Sequence, residues 1–156
     1  MNLFLTLLIA LNVSHAENLE HLRTASWSNK VPDVVLCNDA DIESELLQKA
    51  IDAWKERGEA VGKIVKKSCS SRPGYGEIGI YVSSKMVYDD SAGETIRNVF
   101  NNADGSPGNR INHARVYIRP QYVDSYILLE HELGHALGFD DTGDSSSIMS
   151  KHGPVY

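Results

Sequence analysis

Cationic side chains are scarce in this 156-residue sequence, and no cluster of them occurs. Fifteen Lys and Arg residues stand against 21 Asp and Glu, for a formal net charge of −6. A protein that binds nucleic acid neutralises phosphates with a basic face. We therefore expect no nucleic-acid partner. Internal repeats and low-complexity segments are also lacking, and the length fits one domain with a real hydrophobic core.

Long apolar runs are equally rare, and the only one stands at the N-terminus, in MNLFLTLLIALNVSHA. Such a run ending in small residues is typical of a secretory signal peptide and is too short for a usual membrane span. We predict a signal peptide at 1–16, a short N-terminal segment at 17–30 and a folded domain at 31–156. The mature protein is then secreted or periplasmic, with no membrane association. No Lys or Arg precedes the run, so an uncleaved anchor or a buried N-terminal strand remains an alternative.

Cysteine is limited to two residues, Cys37 and Cys69. Neither has a CxxC or Cys-His neighbour, which argues against a cysteine-based zinc site. In an oxidising compartment the two are expected to pair and to stabilise the fold by roughly 3–4 kcal/mol. Two buried thiols, or one thiolate bound to a metal in a latent form, are the alternatives.

The first half of the chain predicts a strand followed by a helix. DVVLC at 33–37 is a short apolar run typical of a buried strand. Asn38, Asp39 or Asp41 can cap a helix that ends at Gly58. One stripe of this helix is apolar, as in a helix that faces a core; the stripe consists of Ile42, Leu46, Leu47, Ala50, Ile51 and Trp54.

Alternating strands occupy the middle of the chain. Residues 63–67, 77–83 and 94–100 are candidate strands, the Gly- and Pro-rich stretch 101–109 is a candidate loop, and 114–118 is the last strand. Apolar and polar residues alternate, which indicates antiparallel pairing. The fold class predicted is α+β, with one twisted sheet packed on two helices.

The most informative stretch is HELGHALGFDDTGDSSSIMS at 131–150. On a helix capped by Asp124 or Ser125, His131 and His135 project from one face a turn apart. Two such imidazoles reach one zinc ion at about 2.0–2.1 Å. Glu132 stands beside them, where a general base is needed.

The residues after these histidines extend the pattern. Gly138 ends the helix and permits a sharp turn back towards a metal. Asp141 follows three residues later, and Met149 eight residues after that. HExxHxxGxxD followed by SIM resembles the metzincin clan of zinc endopeptidases, close to its matrixin and snapalysin branches. The motif covers about twenty residues.

The resemblance implies a metzincin-like fold, in which a twisted mixed β-sheet packs on two helices and the active-site helix carries HExxH. It also implies a role for each motif residue. One catalytic zinc ion would be held by His131, His135 and Asp141, with Glu132 as general base. Met149 would be the Met-turn residue that packs below the site. Asp140 is the competing third ligand, although the spacing favours Asp141.

The chain also departs from the matrixin pattern. Pro-x-Tyr follows the Met-turn later than usual, so Tyr156 is only a candidate wall of the substrate pocket. No cysteine-switch propeptide stands between residues 16 and 31. Calcium in the 101–109 loop has no supporting pattern. A zinc-stabilised binding or inhibitory module, and a hydrolase of cell-wall peptides, are the alternatives to an endopeptidase.

The partners follow from the same resemblance. Metzincins bind an extended peptide along an edge strand, for which Glu94–Phe100 is the candidate. A peptide or protein substrate is therefore expected, and nothing in the sequence requires more than a monomer.

Overall fold

The computed structural model describes residues 17–27, 30–69, 72–88 and 90–152. The predicted signal peptide and Tyr156 lie outside these residues. Among these residues six strands and two α-helices form the fold, with one 3-10 turn before the first strand (Glu20–Leu22) and another between the last strand and the second helix (Pro120–Tyr122). They are β1 (Ser26–Trp27), β2 (Asp33–Cys37), α1 (Ser44–Glu56), β3 (Ile64–Lys67), β4 (Glu77–Val82), β5 (Gly93–Asn101), β6 (Pro107–Ile118) and α2 (Tyr126–Leu137). Within the described residues no helix has both the length and the apolar character required to cross a bilayer.

The strands form one mostly parallel sheet in the order β1-β6-β4-β2-β3. Strand β5 lies off this path and also pairs with β6. Only β5 pairs antiparallel to its neighbour in the described chain. The prediction of one sheet and two helices is confirmed. The antiparallel pairing inferred from the alternation is wrong for every strand pair except β5 with β6.

The alternation of apolar and polar residues along the strands has a physical reason other than antiparallel pairing. Both helices pack on the same face of the sheet, where Ile78, Ile80 and Val116 are fully buried. The opposite face carries the stacked rings of Tyr81 and Tyr117, 5.1 Å apart. A parallel strand covered by helices on one face alternates much as an antiparallel strand does, so periodicity could not separate the two cases.

Helix α1 follows its predicted stripe except at Ile42, which is buried but precedes the helix, and it lacks its predicted caps. Its buried residues are Leu47, Ala50, Ile51 and Trp54, and Gly58 lies just beyond it with φ +93°. The first helical residue is Ser44, after Glu43, whose side chain makes no cap hydrogen bond. Asn38, Asp39 and Asp41 therefore do not cap α1. The chain first makes a turn in which the Ala40 N–H donates to the Cys37 carbonyl.

The hairpin between β5 and β6 is longer than expected. Pairing continues to Asn101 opposite Pro107, so β6 begins at Pro107 rather than near residue 114. A tight turn replaces most of the predicted 101–109 loop. In that turn Asp104 accepts hydrogen bonds from the backbone and hydroxyl of Ser106, which satisfies its carboxylate locally.

The predicted disulfide is confirmed. Cys37, the last residue of β2, bonds to Cys69, just after β3, with 5.2 Å between their Cα atoms. The bond ties the chain beyond β3 to the end of β2. Neither cysteine lines the cleft that runs over helix α2.

Candidate metal centre

Helix α2 carries the two histidines. Ser125 caps it by accepting a hydrogen bond from the Leu128 N–H, as the sequence predicts. The Nε2 atoms of His131 and His135 lie 3.1 Å apart. Their Nδ1 atoms point away, 2.8 Å from the Ile148 and Phe139 carbonyl oxygens respectively. These carbonyls fix the orientation of both rings.

A sharp turn brings in the third side chain. Gly138 ends α2 with φ +113°, a conformation that favours glycine. Three residues later, Asp141 Oδ1 lies 3.5 Å from His131 Nε2 and 3.3 Å from His135 Nε2. Among the described residues, these three side chains are the only group of three or more whose ligand atoms converge as a metal requires.

The chemistry of these donors fits a cation. Carbonyl oxygens only accept, so both Nδ1 atoms must carry protons, and in the neutral rings both Nε2 atoms then present lone pairs. The Asp141 carboxylate adds a third acceptor, and three acceptors repel one another unless a proton or a cation lies among them. Tetrahedral zinc with bonds of about 2.0–2.1 Å places its ligand atoms about 3.3–3.4 Å apart. The observed separations of 3.1–3.5 Å match that geometry.

Asp140, the competing ligand, points elsewhere. Its Oδ1 accepts hydrogen bonds from Arg97 at 2.7 Å and from the Thr24 hydroxyl at 3.0 Å. Its backbone N–H donates to the Leu22 carbonyl. The structure therefore brings Asp141, and not Asp140, to the histidines.

The N-terminal residues brace the turn that carries Asp141. The backbone N–H groups of Thr24 and Ala25 donate to the Gly138 carbonyl at 2.9 and 3.2 Å. A Cβ atom on Gly138 would lie only 1.9 Å from the Ala25 carbonyl oxygen. Sequence reasoning missed this contact, because the two segments are more than a hundred residues apart and no motif marks the first.

Met149, the predicted Met-turn residue, packs against helix α2. It is fully buried, and its sulfur packs so closely on Gly134 that a Cβ atom there would meet it at 2.4 Å. The residue before it, Ile148, supplies the carbonyl that holds His131. The segment thus supports the histidines from below by packing and by one hydrogen bond.

Glu132 is buried with a fractional exposure of 4%. The Thr95 hydroxyl on β5 donates to its Oε2 at 2.6 Å. Burial raises the pKa of Glu132, and the Thr95 hydrogen bond and His135 oppose this rise only in part. A carboxylate that holds a proton more readily than usual is suited to proton transfer.

The two histidines differ electrostatically. Burial lowers the pKa of His131. Burial also acts to lower the pKa of His135, but the hydrogen bond to Asp141 and the charge of Glu132 raise it overall. The His135 hydrogen bond in turn lowers the pKa of Asp141. Asp141 is therefore ionised under ordinary conditions, as a metal ligand must be.

A cleft of about 930 Å³ runs over these residues. Strand β5 forms one wall, and the beginning of α2 with the turn at Tyr122 forms the other. Within the described chain β5 pairs with β6 alone, so its second edge is free. The prediction that Glu94–Phe100 lies on an edge strand is confirmed. Exposed Tyr88 and Tyr122 flank the cleft.

Comparison with known proteins leaves the family open. No family model matches the chain, and no curated protein is similar to it. Any function proposed for this chain therefore depends on its own residues and on their geometry.

Proposed function

We propose that this protein is a zinc-dependent endopeptidase that resembles the metzincins, with zinc held by His131, His135 and Asp141. One observation carries the proposal: three acceptor atoms lie at the separations of tetrahedral zinc ligands. A buried carboxylate, Glu132, stands next to them on the same helix. Three protein ligands leave a fourth position open, which is typical of catalytic and not structural zinc.

Zinc bound at this site supplies a Lewis acid that polarises a carbonyl group and lowers the pKa of water. Glu132 takes the proton from the attacking water and later delivers it to the leaving amine. The burial that raises its pKa favours both steps, because the group must accept and release a proton near neutral pH. A purely structural metal has no need of such a residue.

The substrate in this proposal is an extended peptide that lies along β5. A free strand edge offers main-chain N–H and C=O groups to a peptide, which adds to the sheet as a further strand. Main-chain pairing is independent of sequence and therefore suits a protease with broad specificity. Apolar Ile127 and Leu128 line the cleft beside His131 and can receive a substrate side chain.

We further propose that the protein acts outside the cytoplasm. The Cys37–Cys69 disulfide supports this location, since such bonds persist in oxidising compartments. Together with the apolar N-terminal run, it favours a secreted or periplasmic enzyme.

The test uses the chain from Glu17 onward and a quenched fluorescent peptide library, with zinc content measured in parallel. Glu132→Gln should keep its zinc and lose about 10²–10⁴-fold in cleavage rate, the usual contribution of a general base. His135→Ala should lose both zinc and cleavage. Glu45→Gln, a change at an exposed glutamate of α1, is the matched control and should leave both unchanged.

Other outcomes decide against the proposal. If the wild type binds zinc and cuts no peptide, the protein is better described as a zinc-stabilised binding or inhibitory module. If isolated cell-wall peptides are cut while casein is not, the substrate class is wrong. If no zinc binds, the assignment of the three ligands is wrong.

A further inference from the structure

We propose that Thr95 is a positioning residue for Glu132, and that Thr95 and Gly93 together select the carboxylate oxygen that acts as the base. This inference rests on the proposed endopeptidase function. Both residues lie on β5, two positions apart, so their side-chain positions are on the same face of the strand. That face turns towards α2 and lines the cleft.

The Thr95 hydroxyl fixes one oxygen of the carboxylate. Its Oγ1 lies 2.6 Å from Glu132 Oε2 and 3.0 Å from the Glu132 main-chain oxygen. A hydroxyl has one proton to donate. The contact to Oε2 is the shorter one and reaches a carboxylate oxygen, which is the stronger acceptor, so Oε2 receives the proton. Oε2 is thereby held in a directed hydrogen bond.

Gly93 leaves space beside the other oxygen. A Cβ atom at this position would lie 2.7 Å from Glu132 Oε1 and 2.8 Å from Glu132 Cγ. Any larger residue would have to displace the carboxylate. With Oε2 held by Thr95, Oε1 is the oxygen free to take a proton from a water molecule in the cleft.

A hydroxyl orients this carboxylate without pairing it with a charge. Glu130, two residues earlier and equally buried, is instead paired with Arg57 at 2.7 Å. Among the described residues, Thr95 is the side-chain donor to Glu132. The titratable groups that act on Glu132 most strongly are His135, Asp141 and Glu94. An ion pair would weaken a base, whereas a single neutral hydrogen bond fixes its direction at smaller cost to basicity.

The test compares Thr95→Val, which keeps the shape and loses the hydroxyl, with Thr95→Ser, which keeps the hydroxyl. We expect Thr95→Val to lower kcat about 10- to 100-fold, the scale of a slightly misplaced catalytic group, with KM and zinc content unchanged. Thr95→Ser should stay within about threefold of the wild type, and Gly93→Ala should fall at least as far as Thr95→Val. Ile96→Val, on the opposite face of β5, is the control for packing.

The inference is overturned if Thr95→Val turns over like the wild type, or if Thr95→Ser falls as far as Thr95→Val. Crystal structures of the zinc-loaded wild type and Thr95→Val give a readout independent of turnover. The Glu132 carboxylate should rotate in the variant, and an unmoved carboxylate would contradict its positioning by Thr95. A wild type that binds zinc and cuts nothing contradicts the endopeptidase proposal instead, while the two crystal structures still decide the role of the hydrogen bond.

Discussion

The two helices pack side by side on one face of the sheet, yet they bury different kinds of residue. Every buried side chain of α1 is apolar, from Leu47 to Trp54. Helix α2 buries Leu129 and Leu133 but also two glutamates and Gly134. One helix supplies only core, and the other supplies core together with the residues of the candidate site.

The difference shows how buried charge identifies a site. A buried carboxylate costs free energy unless it is paired or hydrogen-bonded. Glu130 is compensated by its ion pair with Arg57. Glu132 accepts a hydrogen bond from a neutral donor instead, an arrangement that agrees with the proton transfer proposed for it.

The largest effect is expected from removing the buried aromatic side chain of α1. Trp54 is fully buried, stacks on Phe139 and donates its Nε1–H to the Glu130 carbonyl at 2.7 Å. Trp54→Ala should lower the free energy of unfolding by about 3–5 kcal/mol. Urea denaturation of the metal-free protein measures this loss. Exposed Lys55→Ala on the same helix is the control, and a loss for Trp54→Ala no larger than that of Lys55→Ala would contradict the assigned core.

The next largest effect is expected at Gly138, where helix α2 ends. Gly138→Ala would place a Cβ atom against the Ala25 carbonyl and force a strained φ of +113°. We expect a loss of about 3 kcal/mol in stability, at the upper end of the range for strained backbone. Zinc affinity should fall as well, because the turn carries Asp141. Equilibrium unfolding and a chelator competition measure the two effects, with Gly143→Ala, where a Cβ meets open space, as control.

Lower pH should release zinc from α2 without unfolding α1. Both Nε2 atoms must be free of protons to bind a metal, so below the imidazole pKa values the affinity should fall by roughly a hundredfold per pH unit. Competition begins at His135, whose pKa is raised in the metal-free protein. Zinc titration against a fluorescent chelator between pH 7 and 5 measures the change. A constant affinity, or full activity at pH 4, would count against these ligands.

The smallest effects are expected at the two buried glutamates of α2, where the changes in stability should have opposite signs. Glu130→Gln leaves Arg57 without its carboxylate and should cost about 1–3 kcal/mol. Glu132→Gln should instead stabilise the metal-free protein, by on the order of 1 kcal/mol. The pKa of Glu132 is higher in the folded wild type than in the unfolded chain. The wild type therefore loses stability as pH rises through the folded pKa, and Gln avoids this loss. Urea denaturation at pH 4 and pH 7 measures the stability of both variants. A Glu132→Gln variant less stable than the wild type at pH 7 would contradict the predicted difference between the two glutamates.

Local patterns predicted much of the fold and of the candidate site. The stripe on α1, the cap at Ser125, the turn at Gly138 and the spacing to Asp141 all depend on residues near one another in the chain. Strand direction did not follow from such patterns, because alternation reports which face is covered and not how strands pair. The caps proposed for α1 were wrong because the chain first makes a turn from Cys37 to Ala40, and the helix begins only at Ser44.

The sequence by itself determined which residues are able to bind a metal, since helical periodicity alone places His131 and His135 on one face and Gly138 alone permits the turn to Asp141. Only the tertiary structure decided how that group is held and used. Thr24 and Arg97 engage Asp140 and leave Asp141 to the histidines. Strand β5 brings Thr95 to Glu132 across 37 residues. Contacts between distant segments depend on how the sheet and helices pack, and no local spacing encodes them.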